Sequence, residues 1–97
     1  MLNIDSGISA VKFGASWCGP CKLLIPMMKK IEAEFPKIRL LSVDVEDNPK
    51  AAKEYRIRRL PTVILFRDGQ EVNRVVGAAS IDSFRKILRD LSKDQAA

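Results

Sequence analysis

The sequence predicts an α/β domain in which a four-stranded mixed sheet carries helices on both faces, in the order βαβαββα. Three observations lead there: apolar β-runs alternate with helical patterns, a helix separates the first two runs, and a tight Asp68-Gly69 turn separates the last two. A crossover helix makes the first two strands parallel, with a right-handed connection. The turn makes the last two antiparallel. With 97 residues the chain suits a single domain, 1–97, and no linker, repeat or low-complexity block divides it.

The elements follow in order. Residues 1–7 form a short N-terminal segment, and Ile8, Val11 and Phe13 define a first strand ending at Gly14. From Cys21 to Phe35 the apolar residues Leu24, Met28, Ile31 and Phe35 recur at helical spacing, opposite Lys22, Lys29, Glu32 and Glu34. Pro26 predicts a kink inside that helix and Pro36 its end. Ile38 to Val45 reads as a buried strand, and Asn48-Pro49 as the cap and first position of a short helix ending near Tyr55. Thr62 to Phe66 and Glu71 to Val76 form the hairpin. Ser80 caps a last helix with the face Phe84, Ile87, Leu88 and Leu91, and residues 92–97 form a frayed tail.

Composition narrows the function classes. Hydrophobic residues make up 46% and charged residues 30%, as in a globular domain, and no apolar run is long enough to span a bilayer. Residues 1–7 carry neither a basic region nor a long apolar stretch, so no secretory signal is expected and the expected location is cytoplasmic. The net charge of +5 would suit acidic partners. Most of it is spread along the chain as solvated helix faces, so nucleic acid is not an expected partner. The dense exception is Arg56, Arg58 and Arg59.

The two cysteines stand as Cys18-Gly19-Pro20-Cys21, too close to staple distant parts of a fold. At a strand–loop–helix junction, unpaired N–H groups and the helix dipole stabilise a thiolate, which is the nucleophile of disulfide exchange. The spacing lets Cys18 attack a substrate disulfide and Cys21 resolve the mixed disulfide, while Pro20 stiffens the loop. Two other readings exist. Half of a four-ligand zinc site would need a second chain, since this one has no histidine and no third cysteine. A pair of inert core thiols would need a packed apolar run, and Trp17, Gly19 and Pro20 do not make one.

The segment Trp17-Cys18-Gly19-Pro20-Cys21-Lys22 resembles the active site of the thioredoxin family, the type example of C-x-x-C beside a βαβ pattern. The resemblance continues through Pro26, through Leu60-Pro61-Thr62 and to Gly77, covering about Ile8 to Leu91. It implies a thioredoxin-like fold and a protein-disulfide reductase. Cys18 would be the exposed nucleophile, Cys21 the buried resolving thiol, and Trp17 a shaping neighbour. Leu60, Pro61 and Gly77 would bind an extended substrate backbone. The Leu60–Pro61 bond would be cis, although X–Pro bonds in general favour trans. Gly19-Pro20, without histidine, resembles the reducing branch. No cofactor is implied beyond the redox-active disulfide. Electrons would come from a thioredoxin reductase holding flavin and NADPH, and the chain would act as a monomer on disulfide-containing proteins.

Three departures from the family stand out. Only 17 residues precede Cys18, so a core without the family's usual first strand and helix is expected, leaving the strand from Arg39 to Val45 as a sheet edge. Lys12 stands six positions before Cys18, where the family has a buried acid, and Ser42 replaces that acid's usual lysine partner. Lys12 either tunes the thiols as a nearby charge or snorkels to solvent. Arg59 precedes Leu60-Pro61 where the family often has a small residue; it either borders the substrate groove, favouring acidic substrates, or belongs to a solvated loop. The alternatives to a reductase are a thioredoxin-like binding subunit with incidental thiols and a dedicated disulfide oxidant or isomerase.

Overall fold

A computed structural model describes residues 4–77 and 81–96. Its elements are β1 (Ile8–Gly14), α1 (Gly19–Glu34), β2 (Arg39–Asp44), α2 (Pro49–Glu54), β3 (Thr62–Arg67), β4 (Gln70–Val76) and α3 (Ile81–Ala96). The sheet order is β2-β1-β3-β4. β1 pairs parallel with β2, with Lys12 opposite Ser42 and Gly14 opposite Asp44. β1 pairs antiparallel with β3, with Lys12 opposite Val63, and β3 pairs antiparallel with β4. The expected βαβαββα order and mixed sheet are thus present.

Alternation along the two central strands builds two cores. Ile8 and Ala10 of β1 and Val63 and Leu65 of β3 meet Leu24 and Ile31 of α1 and Phe84 and Leu88 of α3. Val11 and Phe13 of β1 and Ile64 and Phe66 of β3 face the other way, under Ala51, Tyr55 and Ile57. There Tyr55 stands between Phe13 and Phe66, with ring centroids 5.7 and 5.6 Å away. Burial is the first cause, ahead of the charges of Glu54 and Asp5, that raises the Tyr55 phenol above its ordinary pKa. On the opposite face Arg85 of α3 grips the Glu34 carboxylate of α1 at 2.6 Å.

The hairpin turns on two residues of positive φ, Asp68 at 49° and Gly69 at 86°, the type I′ pattern that matches strand twist. The Asp68 carboxylate accepts from the Gly7 N–H at 2.8 Å, and the Asp68 N–H donates to the Gly7 carbonyl at 2.9 Å. These bonds tie the N-terminal segment to the turn. β4 carries one register shift, opposite Leu65 and Phe66.

Several expectations change. α1 starts at Gly19, not Cys21, because Cys18 takes the cap position and Pro20 suits a first turn. Pro26 lies inside the helix, as expected, and α1 runs on past it to Glu34. β2 is the expected sheet edge, but it is half-buried and not the buried strand its composition suggests: only Val43 is fully covered, since β1 flanks it on one side alone. Asn48 sits at the cap of α2, but its side chain makes no cap bond; the amide donates back to the Asp44 carbonyl at 3.2 Å. The tail expected from Ser92 is helical through Ala96. Ser80 lies outside the described residues.

Leu88 has no exposed surface and lies where α3 meets both central strands. Leu88→Ala should lower the unfolding free energy by about 2–5 kcal/mol in urea titrations. Arg89→Ala, exposed on the same helix, should change it by less than about 0.5 kcal/mol.

Candidate active site

The site forms where β1 hands over to α1. The Val45 N–H donates to the Gly14 carbonyl at 3.0 Å, so the ladder between β1 and β2 is closed just before the loop begins. The Cys18 N–H then donates to the Ala15 carbonyl at 3.1 Å, turning the chain. Cys18 occupies the cap position of α1 in extended conformation, φ −86° and ψ 108°. Its sulfur accepts the Cys21 N–H at 3.2 Å, in the place where a serine or aspartate oxygen usually sits. No acidic residue occupies the first turn, so no carboxylate competes for that positive end.

Cys18 and Cys21 form a disulfide, with Cα atoms 5.3 Å apart. Both are buried, at 5% and 3% exposure, so the expected contrast of an exposed and a buried thiol is not seen in this oxidised state. The two differ instead in the space they face. Cys18 lines a cleft of about 560 Å³ with Trp17, Gly19, Pro20, Val45, Ala52, Ile57, Arg58 and Leu60. Cys21 lines a separate cleft of about 650 Å³ that includes Lys12, Gly14, Lys22, Ser42, Asp44 and Asp47. Trp17, 68% exposed, forms an apolar wall of the first cleft.

The Leu60–Pro61 bond is cis, as the family resemblance implied. Leu60 packs against the cluster of Ala15, Cys18 and Cys21. The Pro61 carbonyl accepts from the Gly77 N–H at 2.8 Å, where Gly77 adopts φ 85°. A side chain at Gly77 would meet nothing within 4 Å, so glycine serves the backbone conformation there, not a close approach. Gly77 lines an apolar pocket with Leu24, Met27, Met28 and Phe84, outside the Cys18 cleft. Arg59 also lies outside that cleft. It is Arg58 that reaches it, while Arg59 lines a neighbouring depression with Arg56, Arg58, Thr62, Arg74 and Val76.

Sequence reasoning missed Gly14. A Cβ on this residue would lie 3.3 Å from the Cys21 sulfur and 3.4 Å from its Cβ, closer than side chains comfortably pack. The signal was a glycine closing a strand just ahead of the cysteines, a pattern that marks close backbone approach.

Two sulfurs that share a bond at the N-terminus of a helix, beside an open apolar cleft, define a thiol–disulfide oxidoreductase. The family model for thioredoxin matches residues 2–90. Thioredoxin of Chlamydia trachomatis is 43% identical over 86 residues, covering 89% of this chain and 84% of that protein. Thioredoxin of Staphylococcus aureus is 38% identical over 87 residues, with 89% and 84% covered. Among solved structures, thioredoxin from Trypanosoma brucei brucei superposes with a TM-score of 0.87 at 35% identity, covering 93% of this chain and 80% of that one. Oxidised mitochondrial thioredoxin 3 from Saccharomyces cerevisiae gives 0.83 at 32%, covering 90% and 81%. The chain belongs to the thioredoxin family, and it works through a redox-active disulfide.

In the reduced protein, limited alkylation followed by peptide mapping should label Cys18 several times faster than Cys21, because the helix end supports the Cys18 thiolate. Faster labelling of Cys21 would reverse the two roles.

Proposed function

We propose that the chain is a protein-disulfide reductase in which Cys18 is the nucleophile and Cys21 the resolving thiol. The observation that carries this reading is the Cys18 sulfur at the helix cap, accepting the Cys21 N–H at 3.2 Å. After reduction the same donor and the same helix end favour Cys18 as thiolate.

The reaction follows from the positions. The Cys18 thiolate attacks one sulfur of a substrate disulfide, forms a mixed disulfide and expels the other substrate sulfur as thiolate. Cys21 then loses its proton and attacks the Cys18 sulfur. The Cys18–Cys21 bond forms, the mixed disulfide breaks and the second substrate thiolate leaves. Two electrons pass to the substrate, and its thiolates take up the protons. Trp17, Leu60 and Ile57 offer an apolar lining for the substrate chain next to Cys18, and the Leu60–Pro61 bond presents the loop to it. Gly77 contributes by holding the Pro61 carbonyl.

A thioredoxin reductase, carrying flavin and NADPH, would return two electrons to the disulfide. A monomer in the cytoplasm fits this role. Among the described residues no helix is long and apolar enough to cross a membrane. The readings as a binding subunit or as an oxidant or isomerase have no feature of the site in their favour. Dithiothreitol-driven insulin reduction tests the proposal. The wild type should turn over and Cys18→Ser should fall to the uncatalysed rate; equal rates would leave the thiols incidental. A reduction potential in the range of disulfide oxidants would assign the opposite direction.

Lys12 lines the second cleft with Cys21, as do Asp44 and Asp47; the proposed role of its ammonium is to outweigh those carboxylates and favour the Cys21 thiolate that must form during resolution. Lys12→Asp should move the alkaline-rising limb of the single-turnover resolution rate to higher pH. An unchanged profile would mean that Lys12 points away from the sulfur.

A further inference from the structure

We infer that Arg56, Arg58 and Arg59 form a cationic shelf beside the Cys18 cleft that seats an acidic segment of the substrate protein, next to the disulfide under attack. The inference rests on the reductase reading and names the substrate class of that same site.

The shelf is a depression of about 390 Å³ lined by Arg56, Arg58, Arg59, Thr62, Arg74 and Val76. Arg58 lines both this depression and the Cys18 cleft, so the two are neighbours with Arg58 at their border. Arg56, Arg58 and Arg59 are exposed, and among the described residues none of their guanidinium groups is in an ion pair. Arg74 is different. Its guanidinium holds the Glu71 carboxylate at 2.8 Å, which keeps that carboxyl below its ordinary pKa. It therefore adds structure more than net charge. The surplus positive charge comes from the other three.

The backbone that carries these arginines is held from β3 and β4. The Arg59 carbonyl accepts the Thr62 hydroxyl at 2.6 Å, and the Arg56 carbonyl accepts from Arg74 at 3.5 Å. Arg56 itself has φ 55°, the left-handed region that favours glycine and disfavours a long side chain. This conformation closes α2: the Arg56 N–H donates to the Lys53 carbonyl at 3.1 Å and the Ile57 N–H to the Ala52 carbonyl at 2.9 Å, which fixes where Arg56 leaves the helix. The shelf has no aromatic lining residue on which a nucleobase could stack, so an acidic polypeptide fits it better than a nucleic acid.

The test uses matched disulfide peptides with acidic, neutral or basic flanks, and compares kcat/KM at low and high salt. Wild-type turnover of the neutral peptide checks the reductase reading separately: without it, that reading fails. With it, the wild type should prefer the acidic peptide by roughly three- to tenfold at low salt, and less at high salt. Arg56→Gly should lower the acidic-to-neutral ratio while its thermal unfolding midpoint does not fall, which separates docking from folding. Arg59→Gln should lower the ratio as well. Lys37→Gln removes the same charge from the segment before β2, at the opposite end of the sheet, and should keep the ratio. Equal ratios in the wild type and both arginine variants would overturn the shelf. So would an equal loss in Lys37→Gln, or single-stranded DNA that competes more strongly than the acidic peptide.

Discussion

The site depends on how closely β1 ends beside the second sulfur. Gly14 has no side chain, so the Cys21 sulfur rests against the strand, and its carbonyl is held by the Val45 N–H from the end of β2. These two contacts set where the loop leaves the sheet. They also set where α1 begins, and with it the direction of the helix end that faces Cys18. β1 can bear this because it is a central strand, paired with β2 on one side and β3 on the other. Both cores also pack on it, so the strand that delivers the loop is among the least mobile parts of the molecule.

Much of the fold was legible because its signals were periodic and redundant. Ile64 and Leu65 alternate between two cores, and such a run reads as a strand buried on both faces. Asp68-Gly69 names its own turn, since few residue pairs accept positive φ twice in succession. What failed was competition between local partners. Asn48 has the chemistry of a cap, yet its amide finds the Asp44 carbonyl nearer, a contact set by the β2–α2 turn. β2 has the composition of a buried strand, yet the edge position expected from the short N-terminal segment leaves it half-buried, because position in the sheet outweighs composition.

The site was legible in its chemistry and less so in its geometry. Cys18, Cys21, Trp17 and Leu60-Pro61 declare themselves as a motif. Which arginine reaches the cleft does not, because it turns on the direction of side chains in an irregular segment between α2 and β3. Arg58 reaches the Cys18 cleft and Arg59 does not, although Arg59 stands closer in sequence to Pro61. Gly14 escaped notice for a related reason. Its importance lies in an absence of atoms, and only the position of Cys21 reveals it.

The sulfur that caps α1 is also one of the two that share the redox-active disulfide. In the proposed cycle the group closing the first turn of the helix therefore changes: a charged thiolate in one state, a neutral disulfide sulfur in another and a substrate-bonded sulfur in the third. To the extent that the helix end favours the thiolate, the thiolate favours the helix end by the same coupling free energy, because thermodynamic linkage runs in both directions. The oxidation state of the pair and the stability of its first helical turn are in this sense coupled. A partner that grips that turn would sense the electrons stored beneath it.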